Sequence, residues 1–507
     1  MKNIIIQSSF SKISITAIKI VVIVGIVSFL NGCKKFTEVG PPENTVAQEN
    51  VYADDQSATA AVTGIYETIQ SGPTKLLLPY LSVLLGLSAD EFKLWPGAEP
   101  FEIGYYTNEL SAVSIDPSGS EYWTNFYQYI YVCNAAVEGL TNSTTLSSEV
   151  KKQLLGEAKF FRALCYFYLV NLYGDVPLAT TTSYETNRLL HRNSYLQVYE
   201  FIESELNEAK ELLSAEFLSS SLKPSADAER VRPSKWAANA LLSRVYLYLR
   251  KYDLAITEAS DIINATNLFT LELLNNVFIK NNMESIWQLQ GVSPGYNTHD
   301  ATYYNLNADP IGFGYSKPVY LSNHLLNAFE DGDERKNQWV GLYLEGSDSF
   351  YFPYKYKIAD YNPSIVSPFE QTEYHTVFRL GEQYLIRAES LAMTGRLTEA
   401  ISDINTLRGR ARSLPTPEIP DPLPDLPDNL SPENLITAIA HERQIELFSE
   451  WGHRWLDLKR TNQANSIMEV ISLEKGGTWQ ETDQLYPLPY RDLTKNPNLA
   501  GHQNPGY

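Results

Sequence analysis

Gly291-Val-Ser293-Pro294-Gly295 has the spacing of a serine-hydrolase nucleophile elbow, and it follows Ile286-Trp-Gln-Leu-Gln290, an alternating run that reads as a short strand. The chemistry fails at Pro294. The oxyanion hole of that motif uses the backbone N–H of the residue after the serine, and proline has none. No helix start follows Gly295, so the segment reads as a turn. His441-Glu442 opens like a zincin helix, but position 445 is Ile and the second zinc ligand is missing. Ser220-Ser-Leu-Lys223 fits Ser-x-x-Lys inside a Ser-rich linker, without a companion Lys-Thr-Gly. Asp331-Gly-Asp333-Glu334 lacks the rest of a calcium loop and reads as a helix-ending turn. Cys133 and Cys165 sit in apolar helical patterns with no His spacing for zinc. Free buried thiols are expected there, with one disulfide as the alternative. With 60 acidic residues, some pair stands at glycosidase separation in any fold, so carboxylates carry no signal by themselves.

Binding chemistry is better represented. The chain holds 33 Tyr, 20 Phe and 8 Trp, and between Tyr296 and Tyr361 aromatic residues fill 15 of 66 positions, nearly twice the chain average. Gly, Pro, Asn and Asp punctuate the same stretch, which puts many of these rings on loops. Sugars present apolar C–H faces and polar edges, and flat rings beside hydrogen-bonding side chains match both. Trp95, Tyr296, Tyr303, Tyr304, Phe313 and Tyr315 supply candidate rings; Asp90, Asn305 and Asn307 supply candidate hydrogen bonds. The net charge of −20 and the lack of a basic run longer than Lys34-Lys35 argue against nucleic acid.

Lys2, Lys12 and Lys19 precede an apolar stretch from Ile20 to Leu30 that ends in Leu30-Asn31-Gly32-Cys33. A run of that length is too short to cross about 30 Å of hydrocarbon, so residues 1–32 read as a signal peptide. The Leu-x-Gly-Cys ending resembles a bacterial lipobox, which makes Cys33 the expected lipidation site and the lipid the expected membrane contact.

The elements that must hold these rings are helical. Leu154, Leu155, Ala158, Phe161, Cys165, Tyr168, Leu169 and Leu172 mark one face of a long helix that Gly174 ends and Pro177 keeps ended. A second pattern from Ser234 to Arg250 is followed by Leu254, Ala255, Ala259, Ile262 and Ile263. A third runs from Leu385 to Ala392, turns at Gly395 and resumes from Ala400 to Leu407. Small residues at the crossings suit tetratricopeptide-like helix pairs, here separated by more than a hundred residues of other material. A further helix is expected from about Asn434 to Thr461, and the Pro-rich stretch 414–432 is expected to be an extended loop.

Three ordered groups of residues together resemble the SusD/RagB family. They are Glu157-Ala-Lys-Phe-Phe-Arg162 with Asn171-Leu-Tyr-Gly174-Asp175-Val-Pro177; His441-Glu442-Arg443 and Glu446 with Glu450-Trp-Gly452-His-Arg454-Trp455-Leu-Asp457; and Leu485-Tyr-Pro487-Leu-Pro489 with the ending Asn504-Pro505-Gly506-Tyr507. The resemblance spans essentially all of the chain after the leader. It implies a mostly α fold with tetratricopeptide-like helix pairs as a scaffold, and long loops and a few short strands carrying the ligand face. It implies one unit over 33–507, with an N-terminal half to about residue 232 and a C-terminal half from 233. It also implies an outer-membrane lipoprotein, facing outward, that captures oligosaccharide without chemistry and passes it to a SusC-like TonB-dependent transporter. Peptide capture by the same fold is the alternative, and a surface glycosidase the remaining one. No cofactor is implied, and a structural calcium ion is left open. Arg443, Glu446, Arg454 and Asp457 read as an ion network that locks helices, since unpaired charges there would be costly to bury. Lys34 and Lys35 after the lipobox differ from the acidic residues common in exported lipoproteins, so outward display follows from the family and not from the leader.

Overall fold

The computed structural model describes residues 51–71, 78–95, 98–112, 119–292, 297–306, 317, 319–358 and 371–507. The leader, Cys33, Tyr296, Asn307, Phe313 and Tyr315 lie outside the described residues. The helices in chain order are α1 (Asp55–Ser71), α2 (Leu78–Ser88), α3 (Pro100–Thr107), α4 (Glu121–Asn142), α5 (Ser148–Tyr173), α6 (Tyr184–Asn187), α7 (Tyr195–Leu212), α8 (Lys235–Tyr248) and α9 (Tyr252–Asn264). After them come α10 (His299–Tyr304), α11 (Asn323–Ala328), α12 (Glu334–Trp339), α13 (Leu380–Met393), α14 (Leu397–Ala411), α15 (Pro432–Leu447), α16 (His453–Arg460), α17 (Ala464–Glu474) and α18 (Tyr490–Lys495). The strands are β1 (Phe92–Leu94), β2 (Ser285–Leu289), β3 (Val319–Leu321), β4 (Val340–Glu345), β5 (Asp348–Pro353) and β6 (His375–Arg379). The fold is mostly α, as its helical periodicities predict.

The helical patterns appear where the sequence puts them. Gly174, at φ 72°, ends α5, and Gly395, at φ 80°, turns the chain between α13 and α14. Helices α4, α5, α7, α8 and α9 pack in succession, and α9 then packs directly on α13. Ala255, Ala259 and Ala388 are fully buried in these helices, and Ile256 joins Leu385, Leu391 and Ile401 in one apolar cluster. The array interrupted in sequence is therefore continuous in space, because small side chains let α9 and α13 approach.

Two expectations change. The single helix over 434–461 is two, α15 and α16. Ser449, Trp451 and Gly452 between them have φ values of 56°, 49° and 68°. A Cβ on Gly452 would lie 2.2 Å from a Leu85 methyl, so the bend needs a glycine where it meets α2. Strand β2 does not alternate between core and solvent; all five positions are buried. Trp287 is enclosed by Phe160 and Phe161 of α5 at centroid distances of 5.1 and 5.6 Å, and by Phe378 of β6 at 6.0 Å.

β2 and β6 pair antiparallel at the neck of the segment inserted between α9 and α13. Within that segment β4 and β5 form a hairpin about Gly346, and β3 pairs antiparallel with β1 from the N-terminal part of the chain. Cys133 and Cys165 are free, buried thiols, and burial pushes Cys133 up to about 12. Among the described residues no helix is long and apolar enough to cross a membrane.

Candidate functional site

Trp95 follows β1 directly, and the β1–β3 register places Lys93 opposite Tyr320. The Trp95 ring meets Phe350 of β5 at 5.1 Å and 62°, and Tyr320 of β3 at 6.4 Å and 66°. Tyr320 and Phe350 meet at 5.4 Å and 89°. Edge-to-face arrangement fixes each ring against the positive edge of another. Leu306, Phe350 and Phe352 are the buried members of this cluster, and Trp95, Tyr320, Tyr343 and Tyr354 pack half-buried against them. Alternation along the hairpin explains the sorting: Tyr343 pairs with Phe350 and Gly341 with Phe352 on the inner face, while Leu342 and Tyr351 point outward. A Cβ at Gly341 would lie 2.3 Å from the Phe352 ring, so glycine is what lets that ring lie flat across the hairpin. Trp95 is half-buried, and its indole N–H lacks a partner among the described residues.

The other candidates do not join this cluster. Asp90 is buried, and its two carboxylate oxygens accept from Arg454 Nε and Nη2 at 2.8 and 2.7 Å. Burial alone would raise this carboxyl, but the Arg454 guanidinium outweighs it and holds the group below its usual range. The side chain thus ties β1 to α16 and is spent as a ligand contact. Its neighbour Glu91 makes no ion pair among the described residues; burial, and then the Asp90 charge, push it up to about 8 against the weaker pull of the Ser449 N–H, Arg454 and Lys355. Tyr303 is half-buried and lies edge-on to Tyr80 of α2 at 4.8 Å. Tyr304, only 3% exposed, packs under the surface at 5.6 Å from Phe92. Asn305 is buried, and its amide donates to the carbonyls of Tyr356 and Lys357 at 3.0 and 3.2 Å.

Behind these residues Asp300 and His375 approach to 2.6 Å, with the His375 ring stacked at 9° on Tyr356. Asp300 Oδ2, His375 Nε2, Tyr304 Oη and Asn305 Oδ1 have no hydrogen-bond partner among the described residues. They border a cavity of about 10 Å³, the room of one water molecule. No group of three or more metal-ligating side chains occurs among the described residues.

The signature residues lie elsewhere and are paired. Arg443 donates to Asp457 at 2.7 Å, and Arg460 joins Asp457 to Glu389. Glu446 receives Arg335 at 2.9 Å, Arg379 at 2.6 Å and Arg410.

Known proteins match this architecture. The family model described as "Starch-binding associating with outer membrane" matches residues 105–247, and the "SusD family" model matches 338–507, between them more than half of the chain. The chain belongs to the SusD/RagB family. Among SusD-like relatives, protein P38 of Formosa agariphila is 26% identical, covering 97% of this chain and 99% of its own, and protein P2 of the same organism is 27% identical, covering 94% and 97%. The fold is also that of a SusD homolog from Bacteroides thetaiotaomicron, with a TM-score of 0.74 at 20% identity over 91% of this chain and 98% of the other. A laminarin-binding SusD-like protein superposes with a TM-score of 0.71 at 24% identity over 90% of this chain and all of its own.

For this SusD/RagB chain, sequence reading named Trp95 but not its partners. Tyr320 and Phe350 lay inside the aromatic-rich stretch and were not singled out. The signal that could have found them is Leu342-Tyr-Leu-Glu-Gly346-Ser-Asp-Ser-Phe350-Tyr-Phe352, two alternating runs about a glycine turn, which is a hairpin with rings on one face.

Proposed function

We propose that the protein captures oligo- or polysaccharide on the outer surface of the outer membrane, without catalysis, and delivers it to a SusC-like TonB-dependent transporter. Family membership supports a cell-surface lipoprotein, with Cys33 as its acylated residue and the lipid as its membrane contact. The observation that carries the glycan reading is the cluster of Trp95, Tyr320 and Phe350, three rings held rigidly against one another by separate strands. A preformed ring surface loses little entropy on binding, so little of the stacking energy is spent on ordering the site. Tyr303 is included as a flanking ring, and Tyr296, Phe313, Tyr315 and Asn307 are carried forward from the sequence as further contacts. Asp90, Tyr304 and Asn305 act beneath the surface in this reading, holding the strands and α10 that present the rings.

The binding of laminarin by a protein of the same fold makes laminarin the first polysaccharide to test. Affinity electrophoresis and calorimetry with laminarin, starch and xylan should find a glycan that is retained and released unchanged. Trp95→Ala with Tyr320→Ala should weaken that binding by tenfold or more, about 1.4 kcal/mol, with the circular dichroism of the folded protein preserved. Unaltered affinity in the double variant would remove the ring cluster from the site. Retention of peptides and of no glycan would replace the ligand class, and reducing ends released on incubation would make the protein an enzyme.

A further inference from the structure

A pocket of about 330 Å³ opens between α4, α6 and α18, at the small end of the range for ligand sites. Trp123, Tyr127 and Tyr131 of α4 stand four residues apart, which puts three rings in a row on one helix face. The row runs from the core outward: Trp123 is 2% exposed, Tyr127 half-buried and Tyr131 54% exposed. Across the opening Tyr184 of α6 is 74% exposed. None of these rings takes part in the Trp95 cluster.

The polar atoms of the floor are turned away. Trp123 Nε1 donates to Asp492 at 2.8 Å and Tyr127 Oη to the Pro177 carbonyl at 2.7 Å, so what faces the pocket from these rings is carbon. The rim is polar. Asn187 donates its amide to the Thr181 carbonyl at 2.7 Å, which fixes that side chain in the wall with its Oδ1 buried. Lys495 is exposed and makes no ion pair among the described residues. Two clamps hold the walls: Asn496 donates to the Leu190 carbonyl at 2.7 Å, and Asn498 to that of Leu189 at 2.5 Å. The site is therefore formed before anything enters it.

We infer that this pocket is a second carbohydrate subsite, which takes one or two neutral pyranose units of the polysaccharide held at the Trp95 cluster. Carbon-faced rings below and the exposed ammonium of Lys495 at the rim match a sugar's C–H face and its hydroxyl edge. A purely apolar partner would strip water from Lys495 without replacing it. Two weak sites on one body raise retention of a long chain through effective concentration, while a short oligosaccharide reaches only one of them.

This inference rests on the glycan reading, and its test separates the two. Affinity electrophoresis of the full chain is run with laminarin, starch and xylan, and calorimetry with the tetrasaccharide of whichever is retained. Tyr131→Ala with Tyr184→Ala should lower affinity for the polysaccharide about fivefold and leave tetrasaccharide binding within twofold. Tyr131→Phe with Tyr184→Phe keeps the rings and should bind as the parent does. Residual retention in Trp95→Ala should vanish when the two alanines are added. Parent-like retention by the double alanine variant would overturn the second subsite and leave the glycan reading standing. No retention of any polysaccharide by the parent would overturn both.

Discussion

Phe161 on α5 and Glu446 on α15 are equally inaccessible to water, and their surroundings have nothing else in common. Phe161 is enclosed by other rings: Tyr66 at 4.8 Å, Phe160 at 5.8 Å and Trp287 at 5.6 Å. Glu446 is enclosed by Arg335, Arg379 and Arg410, and these arginines also engage Asp333, Glu284, Glu442 and Glu450. The ring core joins α1, α5 and β2 through apolar contacts that fix no charge pairing. The charged core joins α12, β6, α14 and α15, which come from distant stretches and meet in one register only. Ring packing degrades gradually as volume is removed. An ion network fails when one member leaves, because the remaining charges stay buried without partners. The difference teaches which half of the protein tolerates error.

The largest effect should come from Glu446→Ala. Removing one carboxylate takes an anionic partner from three buried guanidinium groups at once and leaves the network an excess positive charge, and the cost should be about 5 kcal/mol, read from urea unfolding, or failure to fold. The arginines hold Glu446 far below the normal carboxylate range despite the opposing effect of burial. Its contribution is therefore complete above about pH 4.5 and is lost as pH falls toward the depressed value. Phe161→Ala should cost about 3 kcal/mol in the same assay, with a fold that persists because the neighbouring rings can close partly over the gap. A larger loss for Phe161→Ala than for Glu446→Ala would reverse the ranking.

The smallest expected effect is conditional on pH. Glu91 is raised to about 8 from 4.5, so the folded protein keeps its proton where the unfolded chain has lost it. Its favourable contribution is fully present below pH 4.5 and has disappeared once pH passes 8. Glu91→Gln should melt close to the parent at pH 5 and several degrees above it at pH 9, by scanning fluorimetry. A constant gap between the two pH values would show that Glu91 titrates normally.

The scaffold was legible because its signals are local. The apolar repeat from Leu154 to Leu172, Ser234 ahead of α8 and Gly395 between two periodic runs each depend on a few consecutive residues. The break between α15 and α16 was not legible, because Ser449 and Trp451 sit at positive φ where their N–H groups donate to Glu91 and to Ser82 of α2, which lie over 350 positions away. The ring cluster was half legible for the same reason. Trp95 stands out as a tryptophan in a turn, but its partners are set by β1–β3 pairing across more than 220 positions. Asp90 looked like a ligand contact because sequence shows a carboxylate beside a loop aromatic and cannot show that Arg454 occupies it.

The neck made by β2 and β6 has an evolutionary corollary. Everything between Leu289 and His375 leaves and re-enters the body at paired strands, so the two ends are fixed whatever lies between. Lengthening a closed loop is thermodynamically mild, about 0.6 kcal/mol for each doubling. Insertions at the β4–β5 turn about Gly346, away from Asp333 and Arg335 of the charged core, can thus be absorbed while the helices go on folding unchanged.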